Sequence, residues 1–243
     1  MTPVALLGAK GRMGRAIARL AAEHDVEVKY QIDASEGDLD AVSKSGARVL
    51  IDFSAPAILP LAARTCASSG IALVSGTTGL DDEGRAALDE AARRVAVLWE
   101  PNMSVGVLVL GELLQRALAM LGTTVDVEIT ETHHAMKADA PSGTAKRLVE
   151  IATAAREGPV VHGRSGKPGA RSRGEIGVHA LRGGDVIGDH VIHLLGSGER
   201  LELTHRATSR DVFAHGALRA ATWIDGKPPG RYSLRQILET QER

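Results

Sequence analysis

The densest group of chemistry-bearing side chains lies between Glu131 and Ala145, in the run E-T-H-H-A-M-K-A-D-A-P-S-G-T-A. His133, His134 and Lys137 fall within five residues at the end of a strand-like segment. Histidine titrates near physiological pH, so it can give or take a proton during a reaction. Ser142, Gly143 and Thr144 follow Pro141 and read as a loop opening a helix. Hydroxyls and backbone N–H groups at such a helix start make an anion site. Cations beside it suit a substrate carrying one carboxylate or two. A metal site is the first rival. Adjacent histidines on extended backbone point to opposite faces, and no third ligand has suitable spacing, so no metal is expected. A capped helix with surface histidines is the plainer rival. It accounts for Ser142 but not for the crowding of His133, His134 and Lys137.

A second group is the glycine-rich turn G-A-K-G-R-M-G: Gly8, Ala9, Lys10, Gly11, Arg12, Met13 and Gly14. It follows an apolar run and opens a helical stretch. Glycines there allow a tight turn and let the backbone approach a pyrophosphate, whose charge is favoured at a helix N-terminus. The glycines recur at intervals of three, a variant of the commonest dinucleotide fingerprint and a weak signal alone. Its context strengthens it. The next strand-like run, V-E-V-K-Y-Q-I-D, ends at Asp33, 19 residues after Gly14, where an acid is needed to bond the adenosine ribose hydroxyls. The competing reading makes Asp33 a turn former at a strand end. Two further loops, Gly76-Thr77-Thr78-Gly79 and Glu100-Pro101-Asn102-Met103, follow apolar runs and fall where open α/β sheets bind ligands.

The elements that must position these groups alternate through the first hundred residues. Short apolar runs at Val4–Leu7, Val26–Ile32, Val49–Phe53, Ile71–Ser75 and Val95–Leu98 are separated by helical stretches. Those stretches are Arg12–Glu23, a weak one near Asp38–Lys44, Pro56–Ser69 and Glu83–Arg94, with Ser54 as a helix start before Pro56. This pattern predicts a Rossmann-like parallel sheet with helices on both faces. After Asn102 the pattern changes to a helix over Val105–Leu121, a strand over Val125–Thr130 and a helix over Ala145–Arg156. Residues 157–174, rich in Gly, Pro, Arg and Ser, read as a mobile loop. Runs at Ile176–Leu181, His190–Leu195 and Leu201–His205, separated by glycine turns, predict antiparallel pairing. A last helix near Val212–Trp223 leads into a short tail. The expected α/β fold is a nucleotide-binding domain over 1–103 and 211–243, with an inserted α+β domain over 104–210. The inserted domain carries a mainly antiparallel open sheet.

Bulk properties restrict the function classes. A formal charge of −1 gives no global basic field for nucleic acid or an anionic membrane. No window approaches the ~20 apolar residues of a membrane span, and the opening MTPVALLG has no charged n-region. A cytoplasmic protein is expected. The single cysteine, Cys66, forms no intrachain disulfide and reads as a small buried apolar residue.

The run from His133 to Ala145, together with GAKGRMG, GTTG, PNMSVGV, IGVHALRGGD and GERLELTH, resembles the dihydrodipicolinate reductases along nearly the whole chain. Met103 stands where an aromatic residue is expected, and the 157–174 loop is short for that family. The resemblance implies reduction of a cyclic dicarboxylate on the route to diaminopimelate and lysine, with His133 as acid/base group and Lys137 as cationic proton donor. It further implies that His134, Gly143 and Thr144, beside Ser142, hold the dicarboxylate. Gly8 to Met13, Asp33, Gly76 to Thr78 and Glu100 to Met103 would line an NADH or NADPH cofactor. A homotetramer built through the second domain's sheet is also implied. Asp33 favours NADH, because its charge repels a 2′-phosphate and the following Ala34 and Ser35 offer no arginine. Lys10, Arg12 and Arg15 soften that preference. A different two-domain dehydrogenase of amino-acid-like acids would need another substrate loop. A non-catalytic NAD(H) sensor would need a recognition helix or separate binding module, and neither is evident.

Overall fold

The computed structural model describes residues 1–33 and 39–240 and divides into two compact units, 1–105 with 211–243 and 106–210. Ala34, Ser35 and the Asp38 end of the weak helical segment lie outside the described residues.

The first unit is built on five parallel strands read from the apolar runs: β1 (Thr2–Leu7), β2 (Val26–Ile32), β3 (Val49–Asp52), β4 (Ala72–Ser75) and β5 (Ala96–Trp99). β1 and β3 are buried along their whole length, as strands covered on both faces must be. β2 alternates buried and open positions because it is an edge. Two helices, α1 (Arg12–Leu20) and α2 (Leu59–Ser69), follow β1 and β3, and α3 (Asp82–Ala92) follows β4. Asp81 caps α3 by accepting from the Gly84 amide at 2.8 Å.

Three details depart from expectation. The stretch Arg12–Glu23 is not one helix: α1 ends at Leu20 and a 3-10 turn covers Ala21–His24. The Leu39–Lys44 segment is likewise 3-10. Ser54 does not start the helix after β3, since α2 begins only at Leu59 and Ser54 is bonded elsewhere, as described below.

The second unit starts with α4 (Val105–Leu121), then β6 (Asp126–His133), α5 (Gly143–Ala155), β7 (Val160–His162), β8 (Ile176–Arg182), β9 (Gly188–Leu195) and β10 (Arg200–Ala207). Its sheet runs β10-β9-β6-β8-β7 and is mixed. β9 pairs antiparallel with β10 and β6, while β8 pairs parallel with β6 and β7. Antiparallel pairing of successive strands thus holds for β9 and β10 but not for β8 and β9, which β6 separates. The segment 157–174 is not all loop. It contains edge strand β7, and Arg164 and Arg171 bond back to Glu128 on β6. Leu110, Leu114 and Leu118 of α4 and Leu148 and Ala152 of α5 close the core against Val127, Ile129, Ile192 and Leu194.

The chain then completes the first unit. α6 (Asp211–Ile224) packs with α1 on one face of the parallel sheet. The tail carries a sixth strand, β11 (Gly230–Tyr232), paired parallel with β5, and a last helix, α7 (Leu234–Glu239). The first sheet therefore runs β11-β5-β4-β3-β1-β2. Cys66 is fully buried, and burial and nearby Asp52 push its thiol well above the ordinary range. No helix among the described residues is long and apolar enough to cross a membrane.

Candidate functional site

The histidine cluster is assembled by the two-residue period of β6, whose buried face reads Val127, Ile129, Glu131, His133. Glu131 is therefore a same-face neighbour of His133, fully buried, with Oε2 2.5 Å from His133 Nδ1. Arg182 on β8, in register with His133, donates to both carboxylate oxygens at 2.9 Å. The Ser142 amide donates to Oε1 at 3.0 Å. On the other side β9 sets His190 opposite Glu131, its ring edge-on to His133 at 5.3 Å and its Nε2 3.2 Å from Ser142 Oγ.

Electrostatics follow from this packing. Burial alone raises the Glu131 pKa, but Arg182, His133 and the Ser142 amide outweigh it and hold the carboxyl below its usual range. Burial lowers His133; Glu131 opposes that effect, and Lys137 and Arg182 add to it. Burial and the adjacent His133 push His190 down to about 4, so it is neutral at pH 7.

Ser142 caps α5 by accepting from the Ala145 amide at 3.2 Å, and Gly143 and Thr144 form the first helical turn. A Cβ at Gly143 would meet no protein atom within 4 Å. Lys137 Nζ donates to Asp139 Oδ1 at 2.7 Å, so its charge is already partly answered. His134 is half-buried, and its carbonyl accepts the Lys137 amide. The sequence pattern groups these cations by proximity; in the structure Glu131 answers His133 and Asp139 answers Lys137, while Lys137 still acts on His133. Glu131, Arg182 and His190 were missed. Glu131 had a readable signal, the E-x-H spacing on an alternating strand. Arg182 and His190 arrive only through long-range pairing.

In the first unit the strand order changes direction beside β1, between β2 on one side and β3 on the other. In open α/β sheets such a switch point is where ligands bind, outside the carboxyl ends of the strands. Gly8 occupies that end of β1 with φ +81°, and a Cβ there would lie 2.5 Å from the Phe53 carbonyl oxygen, so only glycine fits. The Gly8 and Ala9 amides donate to the Ile32 carbonyl at 2.9 and 3.1 Å, which sets the end of β2, and with it Asp33, beside the turn. Gly11 is the N-cap of α1, and Arg12 and Met13 lie in the first turn, whose amides have no acceptor within the helix. Lys10 is exposed and Asp33 half-buried. A backbone cradle that side chains would fill, opening a helix, fits a pyrophosphate.

The Gly76–Thr78 loop is tied down by a residue the sequence pattern did not single out. Asp52, fully buried at the end of β3, accepts from the Ser54 amide (2.9 Å) and hydroxyl (2.6 Å) through Oδ1. Its Oδ2 accepts the hydroxyls of Ser75 (2.7 Å) and Thr77 (2.8 Å). Ser54 thus serves this carboxylate instead of starting α2. Gly76 packs beneath the Phe53 ring, leaving no room for a Cβ. Thr77 is buried and Thr78 exposed. Glu100 accepts from the Leu234 amide at 3.4 Å, Pro101 is exposed and Asn102 Oδ1 accepts the Ser104 amide at 2.9 Å. Met103 is only 1% exposed, so its side chain belongs to the core.

Fold and site define the class: an oxidoreductase that joins a Rossmann-type nucleotide-binding sheet to a separate α+β unit. Models of the dihydrodipicolinate reductase N-terminus and C-terminus match residues 2–103 and 106–238. The 4-hydroxy-tetrahydrodipicolinate reductase of Anaeromyxobacter dehalogenans is 43% identical, covering 98% of each chain. That of Myxococcus xanthus is 47% identical over 86% of this chain and 78% of its own. Among solved structures, a dipicolinate-bound dihydrodipicolinate reductase from Paenisporosarcina sp. TG-14 shares the fold, with a TM-score of 0.78 at 23% identity, covering 96% of this chain and 97% of its own. The chain belongs to the dihydrodipicolinate reductase family.

Proposed function

We propose that the chain reduces 4-hydroxy-tetrahydrodipicolinate, by way of the dehydrated ring, to tetrahydrodipicolinate on the route to diaminopimelate and lysine. The observation that carries this reading is His133 clasped by a buried carboxylate beside the capped start of α5. A proton donor and a carboxylate-binding helix start are thereby held together, as reduction of a ring dicarboxylate requires. The unit of residues 1–105 and 211–243 binds the dinucleotide, and residues 106–210 bind the substrate.

Reduced nicotinamide, when bound, supplies the hydride. The protein's own groups bind, orient and move protons. The turn from Gly8 to Met13 takes the pyrophosphate, Asp33 accepts the ribose hydroxyls, and the loops at Gly76–Thr78 and Glu100–Met103 border the rest of the cofactor. Gly143, Thr144 and Ser142 at the α5 start, with His134 and Lys137, hold the substrate carboxylates. Lys137 exchanges Asp139 for a substrate carboxylate in doing so. Charge builds on the conjugated ring as hydride arrives, and protonated His133, seconded by Lys137, neutralises it. Fixing the ring by two carboxylates makes the transfer effectively intramolecular. NADH and NADPH both serve, NADH modestly favoured. The protein acts in the cytoplasm as a homotetramer built on the second unit's sheet, so light scattering at micromolar concentration is expected to give four chains; a monomer refutes that assembly.

The test is nicotinamide oxidation at 340 nm (the nicotinamide absorbance band) with the ring product of a coupled synthase as substrate. His133→Ala is expected to lower kcat by about 10²-fold. An unchanged kcat in the folded variant removes His133 from the mechanism.

A further inference from the structure

Glu131 determines which nitrogen of His133 can react. An ionised carboxylate only accepts hydrogen bonds, and the Arg182 guanidinium and Ser142 amide around it only donate. The remaining contact, at His133 Nδ1, must then also be a donation. The single proton of the neutral ring sits on Nδ1, and the lone pair sits on Nε2. Protonation adds the second proton at Nε2, which is therefore the proton the ring can release. Nε2 lies beside Gly188, where an added Cβ would stand 3.1 Å away, so any side chain there would crowd that nitrogen. The groups around His133 on every neighbouring element are Glu131 on β6, Arg182 on β8, His190 on β9 and Lys137 in the loop after β6. Of the charged ones, Glu131 alone favours the protonated ring.

We propose that Glu131 is the positioning residue of the site: it sets the His133 tautomer so that Nε2 delivers the proton, and through Oε1 it ties that ring to the helix start holding the substrate carboxylate. This deepens the function proposed above and rests on His133 being the acid. In the step, the Nε2–H bond breaks, its electron pair stays on the ring nitrogen and the proton bonds to the substrate. The Nδ1–H stays bonded to Glu131, which remains ionised throughout. Residues 131, 133, 142 and 182 thereby act as one hydrogen-bonded unit.

The test compares the full-length wild type with Glu131→Gln, using 15N-labelled histidine. Nitrogen shifts distinguish a protonated ring nitrogen from one bearing a lone pair, and His133→Asn assigns the signal. Wild type is expected to show the Nδ1–H form. A glutamine side chain can donate as well as accept, so the variant is expected to move toward Nε2–H. Its kcat is expected to fall by about 10²-fold, with KM within about threefold. The falling alkaline limb of its kcat profile is expected to move to lower pH, because the charge favouring protonation is gone. If Glu131→Gln does not fold, Glu131→Gln/Arg182→Gln removes the carboxylate together with its guanidinium partner; because losing Arg182 shifts the limb the opposite way, the tautomer and kcat alone are read there. An unchanged tautomer with an unmoved limb overturns the proposal. A changed tautomer with unaffected kcat instead overturns His133 as the proton donor while leaving the hold of Glu131 on the ring intact.

Discussion

Replacing Asp52 with asparagine removes one charge and one acceptor from a buried carboxylate that receives four hydrogen bonds. The Ser54 amide cannot reverse its role, so the single amide oxygen must stay on that side and keep the two Ser54 bonds. The Ser75 and Thr77 hydroxyls then face an NH₂ group and must turn to accept. Ser75 Oγ already accepts the Thr77 amide at 3.2 Å, so its turn is the more constrained. Hydrogen bonds to a charged group are worth about 1.5–3 kcal/mol and neutral ones about 0.5–1.5, a loss near 1 kcal/mol for each bond that survives in neutral form. Four such losses are offset in part because no charge remains to be buried. The expected net is about 2 kcal/mol, or a fall in Tm of about 4–8 °C for a chain of this size. Urea unfolding and calorimetry measure it. The Gly76–Thr78 loop loses its anchor at the same time, so NADH affinity by fluorescence titration is expected to weaken several-fold, while dipicolinate affinity stays unchanged. Asp52→Asn within 0.5 kcal/mol of wild type, with unaltered NADH binding, would show that Asp52 organises neither the strand ends nor the cofactor loops.

Pyridine-2,6-dicarboxylate, a planar ring dianion, is expected to compete with substrate. In Lys137→Ala/Thr144→Val its inhibition constant should rise tenfold or more, about 1.4 kcal/mol, and equal inhibition of the two proteins would place the carboxylate site elsewhere. For the cofactor, wild type is expected to favour NADH over NADPH by several-fold in kcat/KM, about 1 kcal/mol. Asp33→Ala should narrow or invert that ratio and Lys10→Ala should widen it. A wild-type preference for NADPH above tenfold would mean that the basic turn governs recognition.

The parallel sheet was legible because its strands are continuous apolar runs separated by helix-length stretches, and the glycine turn because only glycine tolerates the Gly8 geometry. The cluster from His133 to Thr144 was legible because its members are adjacent in sequence. What escaped notice depends on contacts between distant residues. Arg182 and His190 flank Glu131 only because β6 lies between β8 and β9, an order that short turns between consecutive strands conceal. Asp52 lies inside the apolar run Val49–Phe53 and gives no signal of its own, because nothing local reveals the hydroxyls of Ser75 and Thr77 around it. β7 hid within a stretch whose glycines, prolines and arginines imitate loop composition, and β11, three residues long, is too short to show a period. The burial of the Met103 side chain is likewise not visible in the loop composition around it.

The return of the chain at residue 211 sets an order of events during synthesis. Residues 106–210 form a contiguous unit whose five strands and two helices have all emerged before α6 is made. The earlier residues cannot finish on their own. The sheet face that carries α1 stays only partly covered until α6 contributes Ala214, Ala217, Leu218 and Ala221, and the β5 edge stays unpaired until β11 arrives. A growing chain therefore exposes apolar strands of its N-terminal half longest, in contrast to the usual course in which the N-terminal domain folds first. The last thirty or so residues act as a folding clasp, and a ribosome that stalls before them releases a protein with a complete second unit and an open first one.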